Sequence, residues 1–186
     1  KEIEEKGFGA VVVATGAVPI LPPIDGLSRE NIIFATEALE NKKEVVGNVV
    51  IIGSEEVNME TGMHFAKEGH NVTVLEMRKE LAADATMIHY RSMFEEAWES
   101  IPNFTGIVSA KVVKADGKKI FYVDKDGKEH SILADTVIVS AGMKSQVEYV
   151  KEFYGCTPHM YTIGDCVKPA TVEQAMRTAY AVAGEV

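Results

Sequence analysis

"VVIIGSEEVNMETG", Val49 to Gly62, decides how the rest of the chain is read. Four apolar residues, Val49 to Ile52, run into Gly53. Val57, Met63, Phe65 and Ala66 follow at helical spacing as far as Gly69. A short apolar run closed by glycine and succeeded by a 3.6-residue period predicts a buried strand, a tight turn and an amphipathic helix. Gly69 is the expected helix stop, because glycine takes the left-handed conformation that ends many helices. "NVTVLE" (71–76) then reads as the next strand, parallel to the first because a helix separates them.

A strand–turn–helix unit of this kind cradles phosphate when it carries Gly-x-Gly-x-x-Gly. The first glycine makes the turn, the second lets the backbone approach the pyrophosphate, and the third lets helix and strand pack closely. The helix N-terminus then offers unpaired N–H groups to the anion. Only Gly53 is kept here; Glu55 and Asn58 occupy the second and third positions. Glu55 sets a carboxylate where phosphate comes nearest. Two like charges ~4 Å apart repel by ~1 kcal/mol in water and ~4 kcal/mol at a protein-like effective dielectric. Glu76 ends the second strand 23 positions after Gly53, close to the ~20 of the acid that bonds an adenosine ribose. The competing reading of Glu76 is a solvated strand end. Arg78, two residues on, suits a 2′-phosphate instead.

Working outward, "FGAVVVA" (8–14) reads as a buried strand closed by Thr15-Gly16, and "AVPILPPIDG" (17–26) as an extended connection. "NIIFA" (31–35) is a short strand, Thr36 is placed to cap a short helix through Leu39, and polar "NKKE" (41–44) reads as a hinge. An amphipathic helix is expected over 86–99. Asp116-Gly117 and Asp126-Gly127 are hairpin dipeptides separating "SAKVVKA", "KKIFYVD" and "KEHSIL", so an antiparallel meander is predicted. "DTVIVSAG" (135–142) is a further buried strand. "QVEYVKEFYG" reads as a short helix, "MYTIGD" (160–165) as a strand, and 171–185 as a last helix.

The chain has 186 residues, 46% hydrophobic and 25% charged, with 19 Lys plus Arg against 28 Asp plus Glu and a net charge of −9. This is an ordinary globular composition. No basic patch marks a nucleic-acid partner, and no apolar run approaches the ~20 residues of a membrane helix. Cys156 and Cys166 match neither a metal-ligand nor a redox spacing. They read as reduced thiols of a cytoplasmic protein. No metal cluster and no catalytic acid, base or nucleophile is identifiable. His64, His70, His89, His130 and His159 read as surface or satisfied positions, and Met59, Met63, Met77, Met87 and Met93 as core filler.

"VVVATGAVPILPPIDG", "VVIIGSEEVNMETGMHFAKEGHNVTVLEM" and "VIVSAGMKS…YTIGDCVKPATVEQAMRTAY" together resemble the flavoproteins with two dinucleotide-binding domains, the pyridine nucleotide-disulphide oxidoreductase superfamily. Within it the chain is most similar to 2,4-dienoyl-CoA reductases, 2-enoate reductases and related NADH:flavin oxidoreductases. Residues 17–52 contain no cysteine, which departs from thioredoxin reductases, whose Cys-x-x-Cys falls there. The resemblance implies a Rossmann-like α/β fold. Residues 45–142 would be the NAD(P)H-binding domain, and 1–44 and 143–186 two pieces of an incomplete FAD-binding domain. It implies that Ala14, Thr15 and Gly16 lie near FAD with Gly164 and Asp165, the last bonding the ribityl chain, and that Gly142 is a further cofactor-binding position. Gly53, Ser54, Glu55 and Glu76 would face the nicotinamide cofactor, with NADH favoured over NADPH. The FAD-domain glycine fingerprint is missing from these residues. The expectation is therefore a middle-to-end portion of a longer enzyme, whose upstream flavin domain brings FMN and an iron–sulphur cluster. The implied function is hydride transfer from NAD(P)H to FAD and onward to an enoate-type acceptor. The alternative is a degenerate nucleotide-binding domain kept as an assembly module.

Overall fold

The computed structural model describes residues 1–41, 44–83, 85 and 88–186, the side chains of 88–91 excepted. In chain order the elements begin with α1 (Glu2–Lys6), β1 (Ala10–Val13), β2 (Ala17–Pro19), β3 (Ile33–Phe34), α2 (Ala35–Glu40) and β4 (Asn48–Ile52). Next come α3 (Glu56–Lys67), β5 (Asn71–Leu75), α4 (Ile88–Glu99), β6 (Phe104–Ile107), β7 (Lys111–Asp116), β8 (Lys119–Val123) and β9 (Glu129–Leu133). The chain closes with β10 (Thr136–Val139), β11 (Met143–Ser145), α5 (Val147–Lys151), β12 (His159–Thr162) and α6 (Val172–Ala183). These fall into two compact units, Leu21–Gly142, and Lys1–Ile20 with Met143–Val186.

The unit Leu21–Gly142 holds a five-stranded sheet in the order β3-β10-β4-β5-β6, parallel throughout. The run at 49–52 is continuously apolar because both faces of β4 are covered. Val49 and Ile51 pack with Met59, Met63, Phe65 and Ala66 of α3. Val50 and Ile52 pack on the other face with Val112, Ala115 and Ile120 of the antiparallel sheet β7-β8-β9. The result is three layers: helices, parallel sheet, meander. Helix α3 ends in a Schellman arrangement, in which His70 N–H bonds Phe65 C=O at 3.1 Å and Gly69 N–H bonds Ala66 C=O at 3.0 Å. Gly69 has φ 100° there.

In the second unit β1 and β12 pair in parallel, Val13 opposite Thr162. β2 pairs antiparallel with β11. Its buried cluster is small: Val13, Val150 and Cys166, with Val11, Phe153 and Met160 against them. Cys156 and Cys166 are free thiols.

Several expectations are corrected. The division into compact units falls after Ile20 rather than after Glu44. β3 pairs with β10, and Leu21, Ile24 and Leu27 pack against the meander-side core. The start of "AVPILPPIDG" is a strand, β2, rather than a connection. Thr36 lies inside α2. Phe34 is the N-cap, and its N–H is bonded by the Glu37 carboxylate at 3.0 Å. The proposed hinge at 41–44 includes 42 and 43, outside the described residues, and the units divide after 20 and 142 instead. Met59 and Met63 are core, but Met77 and Met93 are 68% and 72% exposed. Met87 and the side chain of His89 lie outside the described residues. Strand β6, "FTGI", has no strand signal in the local sequence pattern.

Candidate functional site

The carboxyl ends of β4, β5 and β10 open into a cleft of about 800 Å³, lined by Ile52–Glu55, Leu75–Arg78 and Ser140–Ala141 among others. Sheet order makes this position informative. From β4 the chain runs through α3 to β5 on one side, while β10 lies on the other. A ligand crevice in an open parallel sheet forms at such a switch point, outside the carboxyl ends.

The turn keeps its geometry despite the two substitutions. Gly53 has φ 93°, and a Cβ there would meet Ser140 C=O at 2.9 Å and Asn58 Nδ2 at 3.1 Å, so only glycine fits. Asn58 is fully buried. Its Nδ2 donates to the carbonyls of Ile52 at 3.2 Å, Gly53 at 2.9 Å and Ser140 at 3.0 Å. The amide thus ties the ends of β4 and β10 together, where a third glycine would merely leave room. Close helix–sheet packing is supplied one turn later, at Gly62. A Cβ there would lie 2.7 Å from the Phe104 ring and 3.1 Å from Ile51 Cδ1. The sequence carried this signal as a glycine inside a helical pattern, and the reading of 58 alone missed it.

Glu76 is neither solvated nor open. It is 3% exposed. Its Oε2 accepts the Ser54 N–H at 2.9 Å and the Ser54 hydroxyl at 2.7 Å. Its Oε1 accepts the Arg78 N–H at 2.7 Å and Nε at 3.4 Å. Ser54, fully buried, also accepts the Ala82 N–H at its carbonyl, 3.0 Å, and at Oγ, 3.2 Å. Glu55 is the half-buried N-cap residue of α3 and lines the cleft. Arg78 and Lys111 line it as well, which places two cationic side chains beside the two carboxylates.

In the other unit, parallel pairing brings two sequence-distant turns to one end. Val13 opposite Thr162 sets Ala14-Thr15-Gly16 and Gly164-Asp165 just beyond neighbouring strand ends. Gly16 and Gly164 have φ 71° and 66°. The Thr15 carbonyl accepts from Gln146 Nε2 at 3.1 Å, while its buried Oγ1 has no partner among the described residues. Asp165 Oδ1 accepts the Ala170 N–H at 3.3 Å, leaving acceptor capacity on the carboxylate. Gly142, with φ 86°, closes the Leu21–Gly142 unit. The structure therefore brings Gly53, Ser54, Glu55 and Glu76 together at one place and Ala14–Gly16 with Gly164–Asp165 at another.

A doubly covered parallel sheet with a switch-point cleft and a strand–glycine–helix turn is the architecture of α/β dinucleotide-binding folds. Residues 1–179 match the pyridine nucleotide-disulphide oxidoreductase family, and the chain belongs to that family, whose members are oxidoreductases that bind FAD and NAD(P)H. It is 27% identical to a metal reductase of Desulforamulus reducens, over 96% of this chain and 30% of that protein. It is also 27% identical to a cinnamate reductase of Clostridium sporogenes, over 98% of this chain and 27% of that protein. A solved complex of 2-naphthoyl-CoA reductase with 2-naphthoyl-CoA superposes with a TM-score of 0.90 at 25% identity, over 99% of this chain and 28% of that one. The chain thus spans under a third of the length of each of these proteins. None of its described helices is long and apolar enough to cross a membrane.

Proposed function

We propose that Leu21–Gly142 docks the nicotinamide dinucleotide of a flavin-dependent oxidoreductase, and that the turns after β1 and β12 form part of its FAD site. The observation that carries the reading is the cleft at the ends of β4, β5 and β10, with the Gly53 turn in its lining. Bound there, the cofactor would supply hydride chemistry, and the protein would orient it. At the flavin end, the orphaned Thr15 hydroxyl and the Asp165 carboxylate are suited to a polyhydroxyl chain. The names of the cinnamate and 2-naphthoyl-CoA reductases favour a conjugated, enoate-type final acceptor. A second carrier, FMN with an iron–sulphur cluster, would lie outside these 186 residues.

Docking is weak in this reading. The N-terminus of α3 favours an anion by ~0.3–1 kcal/mol, and Glu55 repels it by a comparable or larger amount. That balance also supports a second reading, a nucleotide-binding domain retained for assembly. Calorimetric titration of NADH into wild type and Glu55→Gly separates the two. Weak wild-type binding, tightened at least about fivefold by the glycine, supports docking. Absence of saturable binding in both proteins supports the assembly reading.

A further inference from the structure

A carboxylate has about four lone-pair positions, and in Glu76 all four are filled by the chain itself. Two donors are backbone N–H groups, of Ser54 and Arg78. These are fixed by the turn after β4 and the chain after β5. The other two are side-chain donors, the Ser54 hydroxyl at 2.7 Å and Arg78 Nε at 3.4 Å. A ribose offers two adjacent hydroxyls. They gain Glu76 only by taking the places of the side-chain donors, since the backbone donors cannot leave without dismantling the turn.

The two side chains are unequal. Arg78 Nε stands at the long limit of hydrogen bonding, and its side chain is 39% exposed. Ser54 is fully buried, its bond to Glu76 is short, and its oxygen is pinned by the Ala82 N–H. We propose that the Ser54 hydroxyl is the specificity-determining group at the adenosine end of the cleft. It holds one of the two carboxylate positions that the paired ribose hydroxyls would occupy, the one harder to vacate, and so limits affinity for NADH. This rests on the reading that the cleft docks a dinucleotide. NADPH carries a phosphate ester at the 2′ oxygen and has no hydrogen there to donate, so removing the serine hydroxyl returns less to it.

The test titrates NADH and NADPH against wild type, Ser54→Ala and Ser54→Cys, each alone and combined with Glu55→Gly, with a thermal melt for every variant. Cysteine is somewhat larger than serine and donates weakly. Ser54→Ala should tighten NADH about three- to tenfold and shift the NADH-to-NADPH preference toward NADH. Ser54→Cys should fall between wild type and alanine. Unchanged or weaker NADH binding in a folded Ser54→Ala overturns the proposal. Should the alanine variant fail to fold, the cysteine variant decides, tightening supporting the proposal and no change overturning it. NADH binding to Glu55→Gly that ignores Ser54 defeats this proposal alone. Absence of binding in every variant defeats the docking reading and this proposal together.

Discussion

The two units of this chain are built from similar strands yet differ in how much they cover. In Leu21–Gly142, both faces of the parallel sheet are packed, by α2, α3 and α4 on one side and the meander on the other. In Lys1–Ile20 with Met143–Val186, each sheet has two strands and the buried cluster has three members. Helix α6 buries no residue. Val172, Met176 and Tyr180, one turn apart along it, are 80%, 65% and 87% exposed. Isolated two-stranded pairings are marginal in water, so apolar sequence alone does not make a core. The difference teaches that a strand's stability resides in the layers stacked on it.

The sharpest way to break this comparison is to remove one side chain from each core. Phe65 is fully buried between α3 and the sheet. Phe65→Ala should cost ~3–5 kcal/mol, seen as a lower urea midpoint for Leu21–Gly142. Val13→Ala, in the smaller cluster, should cost clearly less. Equal losses would mean that the two units fold as one.

Gly62→Ala comes next. Its added methyl meets the Phe104 ring at 2.7 Å, an overpacking that costs ~1–3 kcal/mol. A melt unchanged from wild type would show that the α3–sheet contact is looser than described. Hydrogen exchange sharpens the contrast without mutation. Amides of β4, β5 and β10 should be the slowest in the chain, and those of β1 and β12 faster by about an order of magnitude or more. The reverse order would invert the comparison.

The smallest effect is at α2. The Phe34 N–H and the Arg29 guanidinium, which bonds Glu37 at 2.8 and 3.1 Å, hold the Glu37 carboxyl below its ordinary value of 4.5. A depressed acid stabilises above its unfolded pKa, and that contribution fades as pH falls through the lowered folded value. Glu37 is 43% exposed, so solvent screening limits the pair to ~0.2–1 kcal/mol. Glu37→Gln should be less stable than wild type at pH 7 and indistinguishable from it near the acid limit of folding. A gap that persists undiminished would assign the effect to packing.

Local signals were legible in the sequence. The strand at 49–52, helix α3 with its Gly69 stop and the Asp-Gly hairpins all follow from period and turn chemistry within a few residues. What escaped depends on distant neighbours. β6 is a four-residue edge strand, "FTGI", made a strand by pairing with β5. Residues 21–34 join the central unit through the β3–β10 pairing, which no local pattern announces. The Ser54–Glu76 bond arises because Ile52 lies opposite Leu75, which brings the next residues of both strands to one point. The carboxylate was visible in the sequence, but its partner was not. Asn58 reads locally as an obstacle, and only the carbonyls of β4 and β10 around it show that it closes the turn.

The division of labour between the units is tested most directly by residue-resolved amide NMR during an NADH titration. Shifts confined to Gly53–Val57, Glu76–Arg78, Ala110–Val113 and Ser140–Ala141, saturating with ligand, are the predicted result. Shifts concentrated at Ala14–Gly16 and Gly164–Cys166, with the Gly53 turn unmoved, would contradict it.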